Sequence, residues 1–111
     1  MRRLVYFGSD SFAVRVLDGI RNHHSIDSLQ VATTAVTARS QKQEMLAYCK
    51  LHGIGCDIPV DGKDKATRIS QWKAYAKYLA ETGYDDLGIV CSYGLMINSS
   101  VIDHFNKVHL A

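Results

Sequence analysis

Residues 3–14, Arg-Leu-Val-Tyr-Phe-Gly-Ser-Asp-Ser-Phe-Ala-Val, leave few architectures open to this chain. Leu4 to Phe7 is a short unbroken apolar run, the pattern of a buried strand. It stops at Gly8, passes Ser9, Asp10 and Ser11, and changes to helical spacing at Phe12. Strand, tight turn and helix start are the opening unit of a parallel α/β sheet. Gly8 reads as the residue free to take backbone angles that others avoid. Ser9, Asp10 or Ser11 caps the helix by accepting a bond from a free backbone N–H. The turn then leaves N–H groups facing outward at the carboxyl end of the first strand. Open α/β sheets bind ligands there, and helix N-termini favour anions. A plain helix cap with no ligand fits the same residues equally well.

The pattern repeats along the chain. Phe12, Val16, Leu17 and Ile20 share one face of a helix over residues 11–21. Residues 29–38 are rich in β-branched and small side chains and predict a second strand. The polar, basic stretch Arg39-Ser40-Gln41-Lys42-Gln43 follows as a loop, suited to phosphate or RNA and equally to plain solvation. A second helix turns Met45, Leu46 and Cys49 inward and stops at Gly53. A short third strand lies within 54–60, with Pro59 marking a strand end or sheet edge. A third helix over 66–81 carries Ile69, Trp72, Ala76 and Leu79 as one stripe and ends at Gly83. Lys73, Tyr75, Lys77 and Tyr78 lie beside that stripe. Interleaved lysines and aromatics suit nucleic acid, but they also describe an amphipathic helix whose long side chains cover apolar surface. Residues 87–91 give a fourth strand. Asn98 or Ser99 caps a short helix over 100–105 with Val101, Ile102 and Phe105 inward, and 108–111 begins a fifth strand. The βαβαβαβα order predicts parallel strands with right-handed crossovers.

Several chemistries are excluded. The first turn reads Gly8-x-Asp10-x-x-Ala13, so an aspartate stands where a dinucleotide loop needs its second glycine. Residues 36–39 end in Arg39 rather than an acid for the ribose, which leaves NADP as the remaining dinucleotide option. There is no Walker-type Gly-Lys-Ser/Thr loop. Ser92 has Gly94 two residues after it but Val90 two before, half of a nucleophile elbow. Cys91 reads as a buried strand thiol, since no base can be assigned to it. The five histidines lack zinc spacing, and neighbours such as His23 and His24 point apart. The three cysteines Cys49, Cys56 and Cys91 fit buried thiols in a reducing compartment better than a disulfide framework. A net charge of +2 gives no electrostatic case for nucleic acid by itself. The four apolar residues after Arg2 and Arg3 are too few for a signal peptide or membrane span.

Two motifs carry a resemblance. Residues 5–13, Val-Tyr-Phe-Gly-Ser-Asp-Ser-Phe-Ala, are similar to the opening signature of methionyl-tRNA formyltransferases. Residues 86–97, Asp-Leu-Gly-Ile-Val-Cys-Ser-Tyr-Gly-Leu-Met-Ile, resemble that family's aspartate, apolar strand and Ser/Ala-Tyr/Phe-Gly corner. Lys50-Leu51-His52-Gly53-Ile54 is similar to its helix-to-strand join. The short loop after strand two and the Asn98-containing start of the last helix look more like the animal mitochondrial form than the bacterial one.

The resemblance implies a Rossmann-like open parallel sheet, the formyltransferase fold, truncated after about four strands. It implies transfer of a formyl group from 10-formyltetrahydrofolate to the amino group of methionyl initiator tRNA, with no metal and no membrane, in the mitochondrion by resemblance, though no import signal is visible, and otherwise in the cytoplasm. Ser92, Tyr93, Gly94, Leu95, Met96 and Ile97 take the place where related folate transferases hold the pterin. Gly8, Ser9, Asp10 and Ser11 take the loop facing the acceptor. Arg39 and Lys42 fall in the loop that in the bacterial family helps clamp the acceptor stem. The family's catalytic Asn-x-His-Pro/Gly-Ser-Leu-Leu-Pro motif is expected at or just after Ala111, followed by an aspartate and a tRNA-binding domain. His109 has Lys107 in place of the asparagine and lacks the Ser-Leu-Leu-Pro. No catalytic residue is therefore assigned, and the chain is expected to be an inactive amino-terminal portion. A truncated sheet would leave strand four with an unpaired edge and favour self-association. The alternatives are a non-catalytic folate- or nucleotide-binding module of Rossmann-like fold, and an enzyme of the same fold acting on another amine.

Overall fold

Strand and helix alternate through the described residues in the order β1 (Arg2–Phe7), α1 (Ser11–Ile20), β2 (Ile26–Ala32), α2 (Glu44–His52), β3 (Gly55–Asp57), α3 (Lys65–Thr82), β4 (Leu87–Val90), α4 (Ser99–Ile102) and β5 (Lys107–Leu110). The computed structural model describes residues 2–23, 25–35, 43–105 and 107–110. The strands form one five-stranded sheet in the order β3-β2-β1-β4-β5, and every pairing is parallel. This is a Rossmann-like open α/β sheet. Among the described residues, no helix is long and apolar enough to cross a membrane.

β1 is central because its residues are apolar on both faces. Val5 and Phe7 join Trp72, Tyr75 and Leu79 of α3, together with Val101 and Phe105, in one core. Tyr6 joins Ala13 and Leu17 of α1 and Met45 and Cys49 of α2 in the other. A parallel strand covered by helices on both sides needs such a run rather than an alternating one. Phe7 is the hub of the first core. Its ring lies 5.7 Å from Tyr93, 6.2 Å from Phe105, 6.4 Å from Tyr75 and 6.5 Å from Trp72. Such tilted and edge-on pairs are favoured by the ring quadrupoles.

Local signals set the boundaries. Asp10 caps α1 by accepting from the Ala13 amide at 2.9 Å, and Asp64 caps α3 through the Thr67 amide at 2.8 Å. Asn98 caps α4 through the Ser100 amide at 2.9 Å. α2 and α3 end on Gly53 and Gly83 at φ of 67° and 80°, the left-handed region that glycine enters at no steric cost. At the far end of the sheet the Asp86 carboxylate accepts the Arg3 amide at 3.0 Å, tying the start of β1 to the start of β4.

Five expectations change. β2 runs 26–32 rather than 29–38, because its length follows β1: Ile26 faces Arg2 and Ala32 faces Phe7. Residues 36–38 of the expected strand lie outside the described residues. Phe12 is half exposed while Ala13 and Leu17 are buried, since the cap at Asp10 phases the helix to bring Ala13 against Gly8. Tyr75 is buried against Phe7 instead of lying beside Lys73 and Lys77, which removes it from any lysine–aromatic surface stripe. α4 ends at Ile102, which stays partly exposed, and Phe105 reaches the core from beyond the helix. β4 is not an edge, because Leu87 to Val90 pair with Lys107 to Leu110 of β5.

Candidate functional site at the carboxyl rim of the sheet

The chain winds outward from β1 through β2 to β3, then crosses back to place β4 on the other side of β1. β1 and β4 are therefore the switch point, where loops from the two strand tips diverge to opposite faces and open a crevice. The corner after β1 and the corner after β4 meet there. The Cys91 amide donates to Phe7 O at 2.8 Å, and the Ser9 amide donates to Ser92 O at 3.1 Å. The Ser9 hydroxyl stands 3.0 Å from Ser92 O and 2.8 Å from Tyr93 O. Gly8 turns the other way and donates its amide to Ala32 O of β2 at 3.0 Å. Two of the donors that the sequence left facing outward, Gly8 and Ser9, are thus spent on the sheet.

Gly8 acts by size rather than by backbone angle, since it is not among the positive-φ residues. A Cβ there would lie 2.7 Å from the Ala13 Cβ, 2.9 Å from Cys91 O and 2.9 Å from the Tyr6 ring. Glycine lets the helix start, the β4 tip and the Tyr6 ring converge on one point. The Tyr6 hydroxyl, donating to Ala13 O at 2.7 Å, pins that helix start from below, and burial raises its phenol far above the usual range. The left-handed residues are in the other corner: Gly94 at φ 88° and Ser92 at φ 50°. A serine in that region costs of order 1 kcal/mol and is held by its surroundings.

Two cavities open beside the joined corners. Ser9 and Asp10 line the smaller, of about 290 Å³, with Thr34, Asp61, Tyr93 and Gly94. Leu95, Met96 and Ile97 line the larger, of about 510 Å³, with Ile69, Trp72 and Ile102. Met96 is 91% exposed and Ile102 41%, so apolar surface faces the opening. Arg68 borders both cavities, and its Nε donates to Gly62 O at 2.8 Å. Lys65 adds a second cation to the larger cavity. An apolar slot with basic groups at its margin accommodates a flat ring system carrying an anionic end.

Of the residues singled out in the sequence, Ser9, Asp10, Tyr93, Gly94, Leu95, Met96 and Ile97 come together around these cavities. Gly8 is buried beneath them, and Ser11 is exposed at the first turn of α1. Ser92 holds the corner without lining either cavity. The Tyr93 ring belongs to the core, with burial raising its phenol above the usual range. Arg39 and Lys42 lie outside the described residues. His109 sits in β5, opposite Ile89 of β4. Arg68, Ile69 and Trp72 entered no sequence-derived site. The signal available for them was topological: the amino-terminal end of α3 follows the tip of β3, on the same rim. No group of three or more His, Cys, Asp or Glu is placed to hold a metal among the described residues.

The fold and rim define an open parallel α/β protein with a two-chambered cleft at its switch point. Neither a family model nor a curated protein matches the chain.

Proposed function

We propose that the chain forms the folate- and acceptor-facing portion of a methionyl-tRNA formyltransferase domain, working in mitochondrial translation initiation. The observation that carries this reading is the union of the two signature corners at the switch point, Ser9 bonded to Ser92 and Tyr93. In this reading the pterin of 10-formyltetrahydrofolate enters the slot lined by Leu95, Met96, Ile97 and Trp72. The methionyl-adenosine end of initiator tRNA approaches over Ser9 and Asp10 from the adjoining chamber. Gly8 and Ser11 belong to the same turn, and Arg39 and Lys42, outside the described residues, are given the acceptor stem by the resemblance alone.

The amine attacks the formyl carbon, so the reaction needs a donor for the developing oxyanion and a base for the amine proton. The 111 residues hold no Asn-x-His followed by Ser-Leu-Leu-Pro. The chain by itself binds but does not turn over.

Trp72 reports on the slot, so a stable folate analogue should quench its fluorescence with saturation. Saturable binding of the analogue without competition by NADP supports the reading. A preference for NADP selects a nucleotide-binding module instead. Formyl-methionine produced by the purified chain from 10-formyltetrahydrofolate and charged initiator tRNA would contradict the inactive portion.

A further inference from the structure

At the β3 edge of the sheet another cavity, of about 320 Å³, is lined by Asp57, Ile58, Pro59, Tyr75 and Tyr78. It shares no lining residue with the two rim cavities. Strand alternation puts a carboxylate there. Leu29, Val31 and Cys56 pack into the α1–α2 core, so their strand neighbours Gln30 and Asp57 face α3. The Gln30 side-chain amide donates to the Asp57 carboxylate at 2.6 Å. The Thr33 amide donates to Asp57 O at 2.8 Å. Both the side chain and the backbone of Asp57 are thus fixed, at the tip of the last strand on this side of the sheet.

Two tyrosines of α3 complete the cavity. Tyr75 and Tyr78 stack with ring centroids 5.9 Å apart and planes 23° from parallel. Tyr78 is 43% exposed, so its ring is reachable from solvent. Tyr75 is buried, and its hydroxyl has no hydrogen-bond partner among the described residues. Burial raises the Asp57 carboxyl above the usual carboxylate range, against the pull of Gln30. Neither lysine nor arginine lines the cavity, and no described residue forms an ion pair with Asp57. Lys77, next to Tyr78 in α3, is paired with Glu81 at 3.9 Å. A partly desolvated carboxylate beside a reachable aromatic ring, with no cation of its own, favours a positively charged guest.

We propose that this cavity binds a primary alkylammonium group. The ammonium donates to the Asp57 carboxylate, its charge lies over the Tyr78 ring, and its methylenes cover Ile58 and Pro59. The cavity is smaller than the 510 Å³ slot at the rim and suits a short chain rather than a fused ring system. The same chemistry is carried by a free amine and by a lysine side chain, and the test separates the two. The assignment does not depend on the folate reading.

The test is an NMR titration of the isotope-labelled intact chain with n-butylammonium chloride at neutral pH, with sodium chloride and n-butanol as matched controls. The expected result is a saturable shift of the backbone amides of Asp57, Ile58, Tyr75 and Tyr78, absent with either control. Nα-acetyl-lysine amide is titrated in parallel. An affinity several-fold above that of butylammonium assigns the site to a lysine side chain, and an equal or lower one assigns it to a free amine. Tyr78→Leu, at an exposed position, should weaken binding about fivefold. Asp57→Asn keeps an acceptor for Gln30 and should weaken it about tenfold. Tyr78→Leu carries the test alone if the Asp57 variant fails to fold. Shifts that sodium chloride or butanol reproduces, or an affinity undiminished in Tyr78→Leu, would overturn the proposal.

Discussion

The Ser9 hydroxyl stands 2.8 Å from the carbonyl oxygen of Tyr93, joining the turn after β1 to the turn after β4. Its single proton is shared with Ser92 O at 3.0 Å, and the Ser9 amide also bonds Ser92 O. Three contacts from one serine therefore hold the two halves of the cleft in register. Ser9→Ala keeps the amide bond and removes the other two. We expect a loss of about 0.5–1.5 kcal/mol in urea unfolding, the usual worth of such a bond. Affinity for a folate analogue should fall several-fold, read by Trp72 quenching. Unchanged affinity would mean that the corners hold their relation without the serine hydroxyl.

Gly8 and Gly94 predict different costs for the same change. At Gly8 an added methyl meets core atoms and backbone at 2.7–2.9 Å, and nothing there yields cheaply. Gly8→Ala should destabilise by about 1–3 kcal/mol, as overpacking does, and should disturb α1 through Ala13. At Gly94 the nearest atom to a Cβ is Ser9 Oγ at 3.7 Å, ordinary contact, but φ is 88°. Gly94→Ala should cost about 1–2 kcal/mol through backbone strain alone, leaving the core signals in an NMR spectrum in place. Equal perturbation of α1 by both variants would contradict the assignment.

The distinction shows what sequence could and could not reveal. Gly8 was legible as a necessary glycine, but its reason, three elements converging, exists only once β4 is beside β1. Asp10, alongside Ser9 and Ser11, and Asn98, alongside Ser99, were legible as candidate helix caps, and Gly53 and Gly83 as stops, because caps are local. The neighbourhood of Ser9 and Tyr93 followed from strand order, which alternating β and α segments constrain. Ser92 at positive φ was not legible, since serine has no preference for that region. The part played by Arg68 and Trp72 was hidden because periodicity places a residue on a helix face without saying which end of the helix reaches the rim. Tyr75 was misread for a related reason: the width of the apolar face of α3 is set by the aromatic ring of Phe7 beneath it.

Met96 separates binding from stability. It is the most exposed of the large apolar side chains among the described residues, at 91%, yet it lines the larger cavity. Met96→Ser should leave the unfolding midpoint within about 0.5 kcal/mol of wild type, as surface changes do. Folate-analogue affinity should drop by several-fold, because the slot loses apolar cover. A large loss of stability would show that Met96 packs where the structure leaves it open.

The outer side of β5 has no strand beside it among the described residues, and Lys107–Leu110 forms that edge. Unpaired N–H and C=O groups invite pairing with another chain. We expect concentration-dependent self-association in sedimentation velocity runs, reduced by replacing Val108 with proline. Val108 packs against the core beneath β4, so a thermal melt must accompany the variant to show that the fold survives. A monomer at all concentrations would remove the edge as an association surface.

Tyrosine ionisation tests the core at alkaline pH. Burial raises the phenols of Tyr6, Tyr75 and Tyr93 far above the ordinary range. Burial, then the hydrogen bond to Asp18, pushes Tyr48 up to about 12. Where the folded pKa is the higher, the folded state keeps a proton that the unfolded state releases. Stability from these groups is therefore complete below the unfolded value of about 10 and is lost as pH rises above it. Each of the three core phenols contributes a slope of about 1.4 kcal/mol per pH unit in that window. Phenolate absorbance should accordingly appear in a cooperative step coincident with loss of far-ultraviolet circular dichroism. The Tyr75 hydroxyl is buried without a hydrogen-bond partner among the described residues, so Tyr75→Phe removes a group unsatisfied there along with one titrating proton. That variant should be at least as stable as wild type at neutral pH and should unfold at higher pH, because one of the three slopes is gone. Independent titration of the core phenols before unfolding would place those rings in contact with water and break the aromatic hub around Phe7.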